Sequence, residues 1–465
     1  MNSSRLDSAI RIVDKIFWYT FLAMLFYLSF ATDRYASAHW MWFSAALYLF
    51  SAAYFSSLLM GGRANYKAMI TAKVFIVIWL CVLIIHALQL VLPIQTPIHK
   101  LFSPNAANAP EWYQPDLVLS LVPHQTQWVL MRELIVLMIF ILSLFLIDSR
   151  RRIKQLLFLL LLVGASHAVI AILAKFGNVY LVNVAALDGH NTPARGVFVN
   201  RNHLSAFVGL CLSGSLALQI HWLIHQHKQS LQSLLIKQFL SGQFFVLLAF
   251  IVSFTAMVLS ESRAGILAFS VSLILIMSML TKRVIERRTL LTVIVPVAVL
   301  CCALSLYFGQ EILQKIASNG LSIGERGEQW QLTWQAIKGS LLFGYGVGSY
   351  STVFQIFREY SDLRQVTFDQ SHNDFLHIWL EQGLVGLVAW LALLLVLMRA
   401  AIRSLSTTQS SLVVAVLSSC MIVFVAALIQ STVDFNLQIS NIRSYFFVIM
   451  ALVFAAPHVR HDKQG

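Results

Sequence analysis

Ser371-His372-Asn373-Asp374-Phe375-Leu376-His377-Ile378-Trp379-Leu380-Glu381-Gln382-Gly383-Leu384-Val385-Gly386 runs directly into the uncharged stretch 387–398, and this join of a polar helix start to an apolar run decides how the chain is read. Ser371 followed three positions on by Asp374 has the form of an N-cap, apolar residues follow at once, and Gly383 supplies a stop before the run 384–398. The spacing therefore predicts a short helix with His372 in its first turn. The positive end of a helix dipole disfavours an imidazolium there, so a neutral imidazole able to accept a proton is expected. The alternative is that His372 only helps to cap the helix.

Outward from this stretch, 58% of the 465 residues are hydrophobic and 11% charged, well beyond the apolar content of a soluble domain. Apolar runs long enough to cross a bilayer fall at 16–32, 39–60, 69–92, 128–147, 155–175, 203–222, 241–259, 264–280, 289–308, 384–398, 411–429 and 444–457. The expected fold is thus an all-α polytopic membrane protein of about 12 transmembrane helices. The net charge of +13 does not argue for nucleic acid. With both termini placed in the cytoplasm, basic clusters such as Arg150-Arg151-Arg152-Ile153-Lys154, Lys282-Arg283 and Arg287-Arg288 fall on the inner side, the positive-inside pattern that fixes orientation. All five cysteines lie in apolar runs and suggest neither disulfides nor a metal site. The first apolar run lacks a small-residue cleavage pattern, so no cleavable signal peptide is expected.

This topology puts several loops outside. The loop 93–127 holds most of the nine prolines and is expected to be irregular, with Trp112 and Tyr113 at the lipid interface. Arg132 and Glu133, early in the fourth span, are expected to pair with each other or a neighbour. The region 309–375, between spans nine and ten, is long enough to form a small helical cap on an otherwise single membrane domain. Within it Glu328 to Ser340 reads as an amphipathic helix with Trp330, Trp334 and Ile337 on one face, and Gly344-Tyr345-Gly346-Val347-Gly348 as a tight turn allowing close backbone approach. A last outer loop, Gln430 to Arg443, carries Asp434 and Asn436.

Four spans start at the outer face, near Arg201 with His203 (preceded by Asn200), Arg263, His372 and Arg443. Arginine sits on the unfavourable side of a helix dipole at an N-terminus, unless an anion binds between the helix starts. A diphosphate is the natural anion. A transfer reaction there needs cations for the departing diphosphate and a base for the acceptor hydroxyl, roles open to Arg201, Arg263 and Arg443 and to His372. No Asp-x-Asp pair occurs, and His372 and His377 lie about 140° apart around a helix, so a metal-independent reaction without cofactor is expected.

The pattern His372-Asn373, nine residues, Gly383, two residues, Gly386 resembles the outer-loop histidine motif of bacterial O-antigen ligases and their relatives, the O-antigen polymerases and protein O-oligosaccharyltransferases. Arg263 with Leu267 resembles the Arg-x-x-x-Leu motif of the ligases. The resemblance implies a C-type glycosyltransferase architecture in the inner membrane. It further implies transfer of a glycan, with inversion, from undecaprenyl diphosphate to an acceptor at the periplasmic face. In ligases the acceptor is lipid A–core, in polymerases another lipid-linked repeat, in the oligosaccharyltransferases a protein Ser or Thr. It implies His372 as base and Arg263 as a diphosphate binder, with Asn373, Asp374, Gly383 and Gly386 as supporting motif residues. The motifs do not separate ligase from polymerase. A transporter of lipid-linked glycans is the alternative of another class, against which stand the lack of an evident repeat and the clustering of polar residues at helix ends.

Overall fold

The structure, a computed structural model, describes residues 3–31, 36–93, 118–177, 193–226, 229–281, 324–358 and 369–460. The ninth apolar run, most of the proline-rich loop with Trp112 and Tyr113, the basic pairs at 282–288, and residues 309–323 and 359–368 of the expected cap lie outside them.

The described residues are helical, with one isolated β-bridge between Ser149 and Arg460. In chain order the helices are α1 (Ser3–Phe30), α2 (Ala36–Leu59), α3 (Tyr66–Thr71), α4 (Lys73–Leu88), α5 (Pro123–Leu146), α6 (Arg150–Gly177), α7 (Arg201–His225) and α8 (Leu231–Leu240). They continue with α9 (Gln243–Leu259), α10 (Arg263–Thr281), α11 (Gly324–Gly339), α12 (Tyr350–Phe357), α13 (Asp374–Thr407), α14 (Ser411–Ser431) and α15 (Ser440–Ala455). Among the described residues eight helices are long and apolar enough to cross a membrane, or nine if α8 and α9, bent 86° at Ser241–Gly242, form one span. The chain is a multi-pass, all-helical membrane protein. The expected run 69–92 is broken at Ala72 into α3 and α4, so α4 alone is a shorter apolar helix.

At the centre stands α15, whose residues are buried along its whole length. A helix that is apolar all round is stable only when neighbours cover every face, and α5, α7, α13 and α14 do so. Beside it α7 packs on α6, α9, α10 and α14. The α6–α7 contact is close: a Cβ at Gly214 would stand 2.4 Å from the Leu157 carbonyl oxygen, so only glycine admits that approach.

Polar groups gather at the two ends of the bundle. At one end Arg152 pairs with Asp14 at 2.7 Å and Asp148 at 3.4 Å, and the Arg460 amide donates to the Asp148 carbonyl. Arg150 donates to Ser410 there, and Ser411 contacts His221 and His225. The other end holds His372, Asp434, Arg201 and Glu261.

A candidate active site at the His372 end

Helix α13 starts at Asp374, and its N-cap is Asn373 rather than Ser371. The Asn373 Oδ1 accepts from the amides of Phe375 and Leu376, while its Nδ2 donates to the Thr432 carbonyl at 2.9 Å. This second bond reaches the end of α14, which a serine hydroxyl accepting at a cap does not provide. Ser371 instead braces the turn before the helix, donating to the Asn373 carbonyl and accepting from the Asn373 amide. His372 therefore lies outside the first turn, in left-handed backbone at φ 50°. Such a conformation costs energy for a non-glycine residue and persists where its surroundings fix it. Here α11 does so: Trp330 Nε1 donates to the Ser371 carbonyl at 3.1 Å and Gln329 Nε2 to the Gln370 carbonyl at 2.6 Å. The helix expected at 328–340 is present and packs on the bundle, but through Gln329, Thr333, Ala336 and Ile337 rather than the expected Trp330–Trp334–Ile337 face; Trp334 stays exposed, edge-on to Trp379.

The imidazole of His372 is about a quarter exposed, and its Nδ1 lies 3.3 Å from Oδ1 of the buried Asp434. Phe435 presents its ring to His372 at 4.8 Å and to His203 at 5.0 Å, edge to face in both cases. Burial works to raise the Asp434 carboxyl. The bond from His372 and the charges of His372 and Arg326 outweigh it and hold the carboxyl below its ordinary range. Asp434 has no sequence motif of its own, and only its position in a short polar loop hinted at a role.

Gly383 is not a stop but a break inside α13, with φ 68° and ψ −173°. Residues 341–346 dock into the break. The amides of Leu384 and Val385 donate to the carbonyls of Leu341 and Leu342, and the amides of Tyr345 and Gly346 donate to the carbonyls of Leu380 and Glu381. Backbone groups orphaned by the break are thereby satisfied. A Cβ at Gly383 would fall 2.1 Å from the Leu342 carbonyl oxygen. Gln89, at the end of α4, locks the joint by donating to the Phe343 and Glu381 carbonyls and accepting from the Val347 amide. The glycine-rich stretch 344–348 is thus the close backbone approach expected of it. Gly386 lets Gln382 fold back, where Gln382 Oε1 accepts from Trp390 Nε1. Asp374 is buried and accepts from Ser431 and Gln438, tying α13 to α14 and to the turn before α15.

Asn200 caps α7 by accepting from the Asn202 amide, so Arg201 opens that helix. Ser262 caps α10, its hydroxyl accepting from the Gly265 amide, and Arg263 opens it in turn, exposed to solvent. The two starts are adjacent, because Gly265 leaves room for Ser205 of α7. Glu261, in left-handed backbone at φ 53°, pairs with Arg201 at 3.3 Å and Lys175 at 3.8 Å and not with Arg263. The charges of Arg263, Arg195 and Arg326 all act on Arg201. Arg326 also donates to the Val433 carbonyl at 2.8 Å and acts on Asp434, so it links the cation cluster to the His372–Asp434 pair. Lys175, Arg195 and Arg326 were not singled out by sequence, since each gains its place from residues far along the chain.

Arg443 departs from expectation. Its guanidinium is buried, pairs with Glu133 at 2.9 Å, donates to the Leu437 carbonyl and stacks 4.5 Å over Trp390. Glu133 meets Arg132 at 3.9 Å as well, which realises the expected ion pair in part. A guanidinium so engaged joins helices, and the structure does not bring it to the cation cluster.

Among the described residues, one end of the multi-pass helical bundle thus brings together a histidine–aspartate pair and a group of arginines. Residues 248–391 match the family described as O-antigen ligase, which sets this domain of the chain in the O-antigen ligase/polymerase superfamily. The matched segment contains Arg263, His372, Gly383 and Gly386; Arg201 and Asp434 lie on either side of it. No curated protein matches the chain. At the level of the family, the function is of the O-antigen ligase or polymerase type, with lipid-linked glycans as substrates.

Proposed function

We propose that the protein transfers a glycan from undecaprenyl diphosphate to an acceptor hydroxyl at the periplasmic face of the inner membrane, in the manner of an O-antigen ligase, with both termini in the cytoplasm. The observation that carries this reading is the His372–Asp434 pair standing beside Arg201, Arg263 and Arg326. Asp434 engages Nδ1, which orients the ring and leaves Nε2 for the acceptor. Nε2 takes the hydroxyl proton as the acceptor oxygen bonds to the anomeric carbon. The bond from that carbon to the phosphate oxygen breaks, and the diphosphate leaves with the electron pair on the opposite face, so configuration inverts. Arginines near the leaving group offset its charge as it develops. No step calls on a metal, and activity is expected to survive EDTA. Arg443 has no part in this scheme.

The test is reconstitution with a purified undecaprenyl diphosphate-linked glycan, with and without lipid A–core. Glycan on lipid A–core supports the ligase reading. Lengthening of the lipid-linked chains without core replaces it with a polymerase, and absence of both products with an inserted protein removes it. His372→Ala is expected to abolish transfer, with a loss of at least about 100-fold, while donor still binds.

A further inference from the structure

The opposite end of the bundle carries a groove between α1 and α6. A cavity of about 610 Å³ runs along Leu22, Phe158, Leu159 and Leu162, with Arg151 and Lys154 at its edge, and most of its wall is apolar. It adjoins a second cavity of about 330 Å³, into which Lys15, Arg63, Arg151 and Arg460 contribute. Tyr19, Arg151 and Gln155 line both, so the two form one continuous feature with a basic mouth and an apolar floor.

The charges at the mouth are not balanced from within. Asp14 and Asp148 also line it, yet both are taken by the buried Arg152, at 2.7 and 3.4 Å. Arg152 further donates to the Leu146 and Asp14 carbonyls and faces the Trp18 ring, so its place is fixed. Four cations then face one carboxylate charge left over. Lys15, Arg63 and Arg151 are exposed, and no ion pair joins any of the four to an acid among the described residues. Gln155 is held by bonds from Trp18 and to Tyr19, which builds a fixed wall where the basic and apolar parts meet.

We propose that this groove binds one anionic glycerophospholipid, its phosphate among Lys15, Arg151, Arg63 and Arg460 and an acyl chain along Phe158 and Leu162. The reading rests on the chain's crossing the membrane several times, which places Phe158 and Leu162 at the lipid boundary and the cations at headgroup level. A soluble phosphate would satisfy the mouth and leave the floor uncovered, and a zwitterionic lipid would cover the floor and bring its own cation to the mouth. Only an anionic lipid matches both parts. The bound lipid would join α1 to α6, beside the Arg152 bonds that already do so.

The test is native mass spectrometry of the full chain released from nanodiscs of phosphatidylcholine containing phosphatidylglycerol or cardiolipin. One anionic lipid per chain is expected to survive release, in at least about five-fold preference over phosphatidylcholine. Lys15→Gln/Arg151→Gln/Arg460→Gln is expected to lose that preference. Arg399→Gln/Arg403→Gln, which removes two cations of α13 outside the groove, is expected to keep it. Leu162→Trp fills the floor without touching charge and is expected to reduce retention, a result still readable if the triple variant does not insert. Equal loss in the α13 variant would show general surface charge at work. Displacement of the lipid by millimolar inorganic phosphate, or full retention in both groove variants, would overturn the proposal.

Discussion

Arg201 and Arg443 occupy the same kind of position, the first turn of a helix that starts at the His372 end, and the molecule uses them in opposite ways. At this end Arg443 lies in the floor, buried beneath the His372 site, with its charge matched by the buried Glu133, its face covered by Trp390 and a carbonyl taking one of its N–H groups, while the mouth is the partly exposed rim above it. Arg201 lies in the mouth, a third exposed, sharing Glu261 with Lys175 and adjoining Arg263 and Arg326. The helix-start argument alone treats the two as equals. What separates them is their acids: Arg443 has the buried Glu133 and fastens helices, whereas among the described residues Arg201 shares Glu261 with Lys175 and stays partly exposed.

The largest test of that contrast concerns the floor. Glu133→Ala leaves a buried guanidinium without its partner and is expected to cost about 3–5 kcal/mol, seen as a fall in the thermal unfolding midpoint and in recoverable protein. Glu133→Gln/Arg443→Met, which removes both charges at similar volume, is expected to recover most of the loss. A single variant as stable as the parent would break the comparison, because the floor arginine would then not depend on its acid.

Next in size is a split in kinetics. Arg201→Ala is expected to raise the KM for the lipid-linked donor about ten-fold, roughly 1.4 kcal/mol, with little change in unfolding midpoint. Arg443→Ala is expected to do the reverse: less folded protein, and an unchanged donor KM in what remains. A donor KM that rises equally in both variants would return Arg443 to the substrate site and erase the distinction between mouth and floor.

Why sequence reading treated these arginines alike is visible in the separations involved. The partner of Arg443 is 310 residues away and that of His372 is 62 residues away, and no local spacing encodes either pair. What local spacing does encode came through: apolar runs that become helices, the presence of helix α11 though not the face it packs, the close approach at Gly344 to Gly348, and His372 beside a helix start. Serine and asparagine are both good caps, so local spacing points to Ser371, two residues before the cap that forms. Asn373 prevails through its extra bond to Thr432, a contact made only once α14 is in place. Gly383 followed the same logic. Glycine ends many helices, and here the helix resumes because residues 341–346 supply partners for the orphaned backbone groups.

The smallest expected effect sharpens the comparison from the mouth side. The Asp434 carboxyl is held below its ordinary range, so its contribution to stability is present above the unfolded value and is lost as pH falls through the lower folded value. The difference in unfolding midpoint between the parent and Asp434→Asn is therefore expected to be flat from neutral pH down to about pH 4, the ordinary value of an aspartate, and to close only in more acid solution. Its size should correspond to about 0.5–1 kcal/mol, the lower part of the range for a single hydrogen bond, since the contact is long at 3.3 Å and His372 is partly exposed. A gap for Asp434→Asn that closes already between pH 7 and pH 5 would mean a raised carboxyl, and with it an Asp434 that does not hold His372 as a carboxylate.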